Sequence, residues 1–223
     1  MLMTSITCIS LLSWIPGYAD IGNNSQTYED LSTQSKQREL SLSSANELFH
    51  HAGDPILGNP HGKVTLVEFL DYQCSHCIAM DKGIQALIQA NPNLRVVIKE
   101  FPIFNSFSFY AAQAALSANQ QGKFALFHHG LVNLAGDINH DTLTSLAQRV
   151  GLNLAQFNSE LDSSAVAAQI SSNRSLGQEL QLTGTPAFFI GSTYYPQQNN
   201  TVLVHFIYGQ VNSRYLQSSI NHF

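Results

Sequence analysis

Apolar residues follow two different rhythms along this chain. Val64-Thr65-Leu66-Val67-Glu68-Phe69-Leu70 is β-branched and almost unbroken in its apolar character, which predicts a strand buried on both faces. From Ser75 to Ala90 the apolar positions, Ile78, Leu87 and Ile88 among them, recur at helical spacing until Asn91-Pro92-Asn93 stops them. Residues 94–101 form a second strand signal, ended by Pro102. Strand, helix and strand in such close succession make a βαβ unit, so the two strands should run parallel. Over 105–181 the strand signal vanishes. Helical segments at 108–120, 123–134, 140–150, 154–161 and 163–181 replace it, divided by Gly122, Gly136-Asp137 and Gly151. Strand signals return at 187–190, at Thr193-Tyr194-Tyr195 and at 201–205, and 208–221 reads as a closing helix. No internal repeat is visible. The pattern predicts an α/β domain in two parts, 51–104 and 182–223, split by a helical insertion over 105–181.

The N-terminal part has a different texture. Residues 20–46 are rich in Ser, Gln, Asn and Thr. Tyr28, Leu31, Leu42, Ala45 and Phe49 can be set on one helical face, but Ser35 and Arg38 interrupt it. Residues 20–50 therefore read either as a flexible linker or as a marginal helix stabilised by self-association, an oligomerisation segment. Gly53-Asp54-Pro55 and Gly58-Asn59-Pro60-His61-Gly62 are turn punctuation at the entrance to the core. Residues 1–19 contain no Asp, Glu, Lys, Arg or His. Their apolar stretch Ile6–Ile15, followed by Pro16 and Gly17-Tyr18-Ala19, resembles a secretory signal peptide cleaved after Ala19, although the usual basic start is missing. An uncleaved anchor or a buried first helix are the alternatives.

Composition narrows the choice of function. With 223 residues, 44% of them hydrophobic and only 11% charged, the chain can bury a sizeable core without a lattice of disulfides. A formal net charge of -5 and the lack of a basic run argue against a partner bound through its phosphates. Outside the N-terminus no apolar run is long enough to span a bilayer. Cleavage after Ala19 would remove Cys8 and Trp14 and leave Cys74 and Cys77 as the remaining cysteines. A bond between residues three apart closes almost no loop and stabilises a fold very little, so this pair points to chemistry rather than scaffolding.

Cys74-Ser75-His76-Cys77 lies where the first long strand ends and the first long helix begins. A helix N-terminus presents unpaired N–H groups and the positive end of its dipole, which favour a thiolate, the form that attacks disulfides. Cys77 lies one turn on, on the same face, and His76 adds a cation or hydrogen-bond donor near the Cys74 sulfur. Half of a zinc site and an inert structural disulfide are the competing readings. Zinc would need two further clustered ligands, and neither His50-His51 nor His128-His129 has a metal-binding helical spacing. Thr183-Gly184-Thr185-Pro186-Ala187-Phe188 puts a proline directly before a strand, a position that suits a cis X-Pro bond and would leave Thr185 backbone groups to pair with an extended substrate.

Val67-Glu68-Phe69-Leu70-Asp71-Tyr72-Gln73-Cys74-Ser75-His76-Cys77, with Gly184-Thr185-Pro186-Ala187-Phe188 at the far end, resembles the DsbA family of thiol–disulfide oxidoreductases. The resemblance covers roughly residues 50–222 and implies a thioredoxin fold with an inserted helical domain. It makes Cys74 the exposed nucleophile, Cys77 the resolving thiol and Pro186 a cis-proline, with Thr185 and Pro186 binding substrate. Ser75 stands where the family usually has proline, which bears on the strength of the couple as an oxidant. Relatives carry a buried acid at the position of Glu68, which alternation places on one face with Leu66 and Leu70, and which Lys99 from the neighbouring strand could pair. The run from Phe101 to Tyr110 reads as core or as a hydrophobic peptide groove. The resemblance further implies disulfide formation in exported, periplasmic client proteins, with no metal or nucleotide cofactor and with re-oxidation by a DsbB-like membrane quinone reductase. Within the family the segment resembles a dimer-forming subgroup with an extra N-terminal region. That leaves a dimeric isomerase, kept reduced by a DsbD-like partner, as the rival, and a copper-holding surface protein as a third reading.

Overall fold

The computed structural model describes residues 35–195 and 200–223. The signal-like segment 1–19, Tyr28 and Leu31 lie outside the described residues. A single mixed sheet organises the rest. Its strands are β1 (Ser35–Ser41), β2 (Ile56–Gly58), β3 (Val64–Leu70), β4 (Leu94–Glu100), β5 (Ala187–Ser192) and β6 (Thr201–Tyr208). Across the sheet they lie in the order β1-β6-β5-β3-β4-β2. β3 and β4 are parallel, with α2 (Ser75–Ala90) as their crossover, and every other neighbouring pair is antiparallel. All seven residues of β3 and all seven of β4 are buried, Glu68, Arg95, Lys99 and Glu100 among them, because both faces of the sheet are covered.

Strand alternation divides the core in two. Leu66, Leu70, Val96, Ile98, Phe188, Ile190 and Ile207 face α2, the closing helix α8 (Ser213–Ile220) and most of the insertion. Val67, Phe69, Val97, Phe189, Val204 and Phe206 face the other way, against α1 (Leu42–His50) and the end of α7 (Ser164–Glu179). The thioredoxin-like architecture with a helical insertion is thus the one the sequence predicts. The insertion consists of α3 (Ser106–Gln120), α4 (Phe124–Val132), α5 (His140–Arg149), α6 (Leu154–Leu161) and α7. α3 is its axis, with Ala111, Ala112, Ala114, Ala115 and Ala118 all buried. Asn105, Asn139, Asn153 and Ser163 cap successive helices by accepting backbone N–H bonds. α7 crosses the sheet at Phe101, where a Cβ on Gly177 would stand 2.4 Å from the ring.

Several boundaries depart from the expected pattern. The described part of the supposed linker or self-associating helix, 35–50, is strand β1 followed by α1, both packed on the chain's own sheet. β1 carries no apolar signal because it is an edge strand; among its described side chains Leu40 alone is buried. Arg38 instead lays its guanidinium 3.7 Å over the Phe206 ring and donates to the Leu180 carbonyl at 2.8 Å. Ala45, Leu48 and Phe49 of α1 are fully buried. Ile56–Gly58, of which only Gly58 belongs to the expected turn punctuation, pairs with β4 as a strand too short to show a period. Thr193-Tyr194-Tyr195 is not strand, β6 runs on to Tyr208, and the closing helix starts at Ser213.

Lys99 is corrected by the same alternation. In the parallel register Phe69 opposes Lys99 and Glu68 opposes Ile98, so Glu68 and Lys99 project from opposite faces. Lys99, with no exposed side-chain surface, pairs with buried Asp54 and donates to the Glu47 carbonyl at 2.6 Å. Burial raises the Asp54 carboxyl to about 6, against the opposing pull of Lys99. Removing one member of such a pair strands the other charge, which typically costs about 3–5 kcal/mol. Lys99→Met is therefore expected to lower unfolding free energy by about that amount, and adding Asp54→Asn to recover most of it, read as denaturant midpoints at constant slope.

Candidate active site

Three chain segments meet at the C-terminal end of β3. β3 leads into the reactive turn, β4 ends beside it, and β5, antiparallel to β3, begins there with Phe69 opposite Ala187. The Thr185–Pro186 peptide bond just before β5 is cis. This places Cys74, Cys77, Thr185 and Pro186 together, although more than a hundred residues separate the two pairs in sequence.

Cys74 is the N-cap of α2, and its sulfur donates to the Thr185 carbonyl at 3.3 Å. Cys74 and Cys77 are both free thiols, so the structure depicts the reduced pair. Their environments differ sharply. Hydrogen bonds from the Cys77 thiol, from the Thr185 side chain and from the backbone N–H groups of Cys77 and His76 outweigh burial and lower Cys74 to about 5. Cys77 moves far in the opposite direction, pushed up first by burial, then by its bond to Cys74 and the charge of Glu68. Cys74 is less open than an exposed nucleophile was expected to be. Only 4% of its surface is accessible, against 1% for Cys77, because the Thr185–Pro186 segment lies over the sulfur.

His76 does not bond the Cys74 sulfur through its ring. Its Nδ1 lies 2.6 Å from Gln210 Oε1, in the loop before α8, and its contribution to Cys74 comes from the backbone. Ser75 opens α2 and is exposed. Glu68 is buried on the Leu66 and Leu70 face, as alternation predicts, with one carboxyl oxygen unpartnered. Burial pushes its carboxyl well up, and the charges of Asp81 and Cys74 add to this. The Thr185 hydroxyl is also buried.

Sequence reasoning missed a polar network behind this pair. Tyr72 Oη donates to Glu100 Oε1 at 3.1 Å and lies 2.9 Å from His128 Nδ1. His128 Nε2 in turn lies 3.2 Å from Asp81 Oδ1, which joins insertion helix α4 to the active-site helix. Burial alone would raise Asp81, but the His128 hydrogen bond and charge hold it below its ordinary value. Glu100 is pushed well up by burial. A signal for Glu100 did exist, since it opposes Leu70 and so shares the Glu68 face. Nothing in the spacing of His128 marks it. In the aromatic run, Phe101 is buried as core, whereas Ile103, Phe104, Phe107 and Tyr110 are exposed. Among the described residues no group of three or more His, Cys, Asp or Glu could hold a metal ion, and no helix is long and apolar enough to cross a membrane.

Known proteins share this chain's fold or part of its sequence. A thioredoxin-like oxidoreductase from Silicibacter pomeroyi superimposes with a TM-score of 0.70 at 35% identity, covering 79% of this chain and 95% of that one. The thiol:disulfide interchange protein DsbA of Bordetella pertussis is 28% identical over 148 residues, 63% of this chain and 69% of that protein. A Na(+)/H(+) antiporter NhaA 1 from Salinispora arenicola is 28% identical over 139 residues, so the chain spans only 21% of that relative's length. Residues 65–220, from β3 through α8, match the DSBA-like thioredoxin domain. With its cysteine pair at the helix start and its cis-proline facing it, the chain belongs to the DsbA-like thioredoxin-domain oxidoreductase family.

Proposed function

We propose that this protein is an exported thiol–disulfide oxidoreductase that introduces disulfide bonds into folding client proteins. The observation that carries this reading is the opposed shift of the two thiols. A stabilised Cys74 thiolate favours the reduced pair, and a pair that prefers to be reduced is an oxidant toward its clients.

The reaction starts from the Cys74–Cys77 disulfide. A client thiolate attacks Cys74 Sγ, the S–S bond breaks, and its electron pair leaves on Cys77. Cys77 is a poor leaving group as a thiolate, so a proton must reach it. Glu68, whose carboxyl is pushed well up by burial on the Cys77 side of the sheet, is the donor. The client, covalently bound through Cys74, lies along the Thr185–Pro186 segment. A second client thiolate then attacks the client sulfur, Cys74 departs as its stabilised thiolate, and the client leaves oxidised. Two electrons have passed to the protein. A DsbB-like membrane quinone reductase is the partner that would take them up, and the periplasm is the compartment that suits this chemistry and the signal-like segment 1–19.

The rival is a dimeric isomerase, supplied with electrons by a DsbD-like protein. It requires an association segment before the core. Residues 35–50 of the stretch assigned to that role pack on their own sheet, which leaves 20–34 for it. The oxidase reading is the one the thiol asymmetry favours.

Equilibration with glutathione tests it directly. A reduction potential above about −200 mV is expected, whereas a value near thioredoxin's roughly −270 mV would overturn the oxidase assignment. Thiolate absorbance at 240 nm should titrate with a midpoint near 5 and be lost in Cys74→Ser. Because the folded value of Cys74 lies below the unfolded 9.0, the reduced protein should gain stability over Cys74→Ser as pH rises from about 5 to 9, and lose that gain on acidification through 5. Glu68→Gln should slow client oxidation about 100-fold in single-turnover kinetics without moving the Cys74 midpoint by more than a fraction of a unit.

A further inference from the structure

Asp71 is the most heavily bonded side chain at the reactive turn, and nothing above gives it a role. It follows the last residue of β3 and is 1% exposed. One carboxyl oxygen, Oδ1, accepts the Gln73 N–H at 2.8 Å, one residue before Cys74. The other, Oδ2, accepts the Ile103 N–H at 2.8 Å and the Phe104 N–H at 3.3 Å, in the loop that follows β4. Its backbone serves the same two partners as the chemistry: its carbonyl accepts the Cys74 N–H at 3.0 Å, and its N–H bonds the Cys77 sulfur. A buried carboxylate is costly unless its lone pairs are met, and here backbone donors from two separate loops meet them.

The loop so held is unusual in what it shows to solvent. Ile103 and Phe104 are 37% and 57% exposed, and Phe107 at the start of α3 is 46% exposed. Phe101 joins this loop to β3 through its N–H bond to the Leu70 carbonyl at 2.8 Å. Together with that bond, the Asp71 carboxylate ties the apolar ledge to the turn that carries the sulfur. A polypeptide client needs both a contact surface and a reacting atom at fixed separation, whereas a small thiol needs the atom alone.

We infer that Asp71 is a positioning residue that locks the Ile103–Phe104 ledge to the Cys74 turn, so that an extended polypeptide is held in register for exchange while small thiols are indifferent to it. This rests on the polypeptide-oxidase reading above. Its test compares two substrates in the full chain: a reduced unfolded two-cysteine peptide with apolar flanking residues, and reduced glutathione. Asp71→Ala removes both anchors. Asp71→Asn keeps the size of the side chain, but its amide N–H₂ must face one set of N–H donors, so one anchor is lost.

In both variants kcat/KM for the peptide should fall about 10-fold or more, chiefly through KM, and at least about 5-fold further than the glutathione rate, which reads the reactive turn alone. Far-UV circular dichroism identifies the folded variants, and Asp71→Asn carries the test where Asp71→Ala does not fold. Equal losses on both substrates, or no loss on either, would overturn the inference. If the wild-type protein oxidises glutathione but not the peptide, it is the client class in the proposed function that fails. An active wild type with an unchanged peptide-to-glutathione ratio in the variants sinks the role of Asp71 alone.

Discussion

Burial of β3 on both faces is the constraint from which the site follows. A strand covered on two sides cannot be displaced along its length without exposing a whole set of apolar side chains, so its C-terminal end is a fixed point. β4 runs parallel to it and β5 antiparallel, which brings the end of one neighbour and the beginning of the other to that same point. The cysteine turn, the apolar loop and the Thr185–Pro186 segment are three consequences of one pairing pattern. The rigid sheet supplies the precision and the segments between strands supply the chemistry.

The sheet also sorts charge. Lys99 and Asp54 neutralise one another on one face, while Glu68 and Glu100 lie on the other with no lysine or arginine paired to them in the described residues. Had Lys99 projected toward Glu68, its charge would favour the ionised carboxylate there. Alternation by a single residue therefore separates a structural ion pair from a pair of acids whose carboxyls burial pushes well up, toward the protonated form. The Asp81–His128 contact makes the insertion a participant in this electrostatic arrangement, since a side chain of α4 sets the state of an acid on the active-site helix.

What the sequence discloses depends on how local the determining interaction is. The unbroken run in β3, the helix stop at Asn91-Pro92-Asn93, and Gly122 and Gly151, with φ of +66° and +73°, are short-range features and are readable directly. The cysteine pair is equally local. β1 is not, because an edge strand whose outer face meets water has no reason to be apolar and takes its stability from Phe206 and Leu180, far along the chain. Lys99 was open to misreading because register with Phe69, not distance along the strand, decides its partner. Tyr72, His128 and Asp81 meet only after the insertion has folded back, so no spacing announces them.

The strand directions carry one more implication. β5 starts at the reactive end, β6 returns to it with Tyr208 opposite Ala187, and β1 leaves from it with Ser35 opposite Ile207. The chain thus enters its first described strand on the same side of the molecule as the sulfur pair.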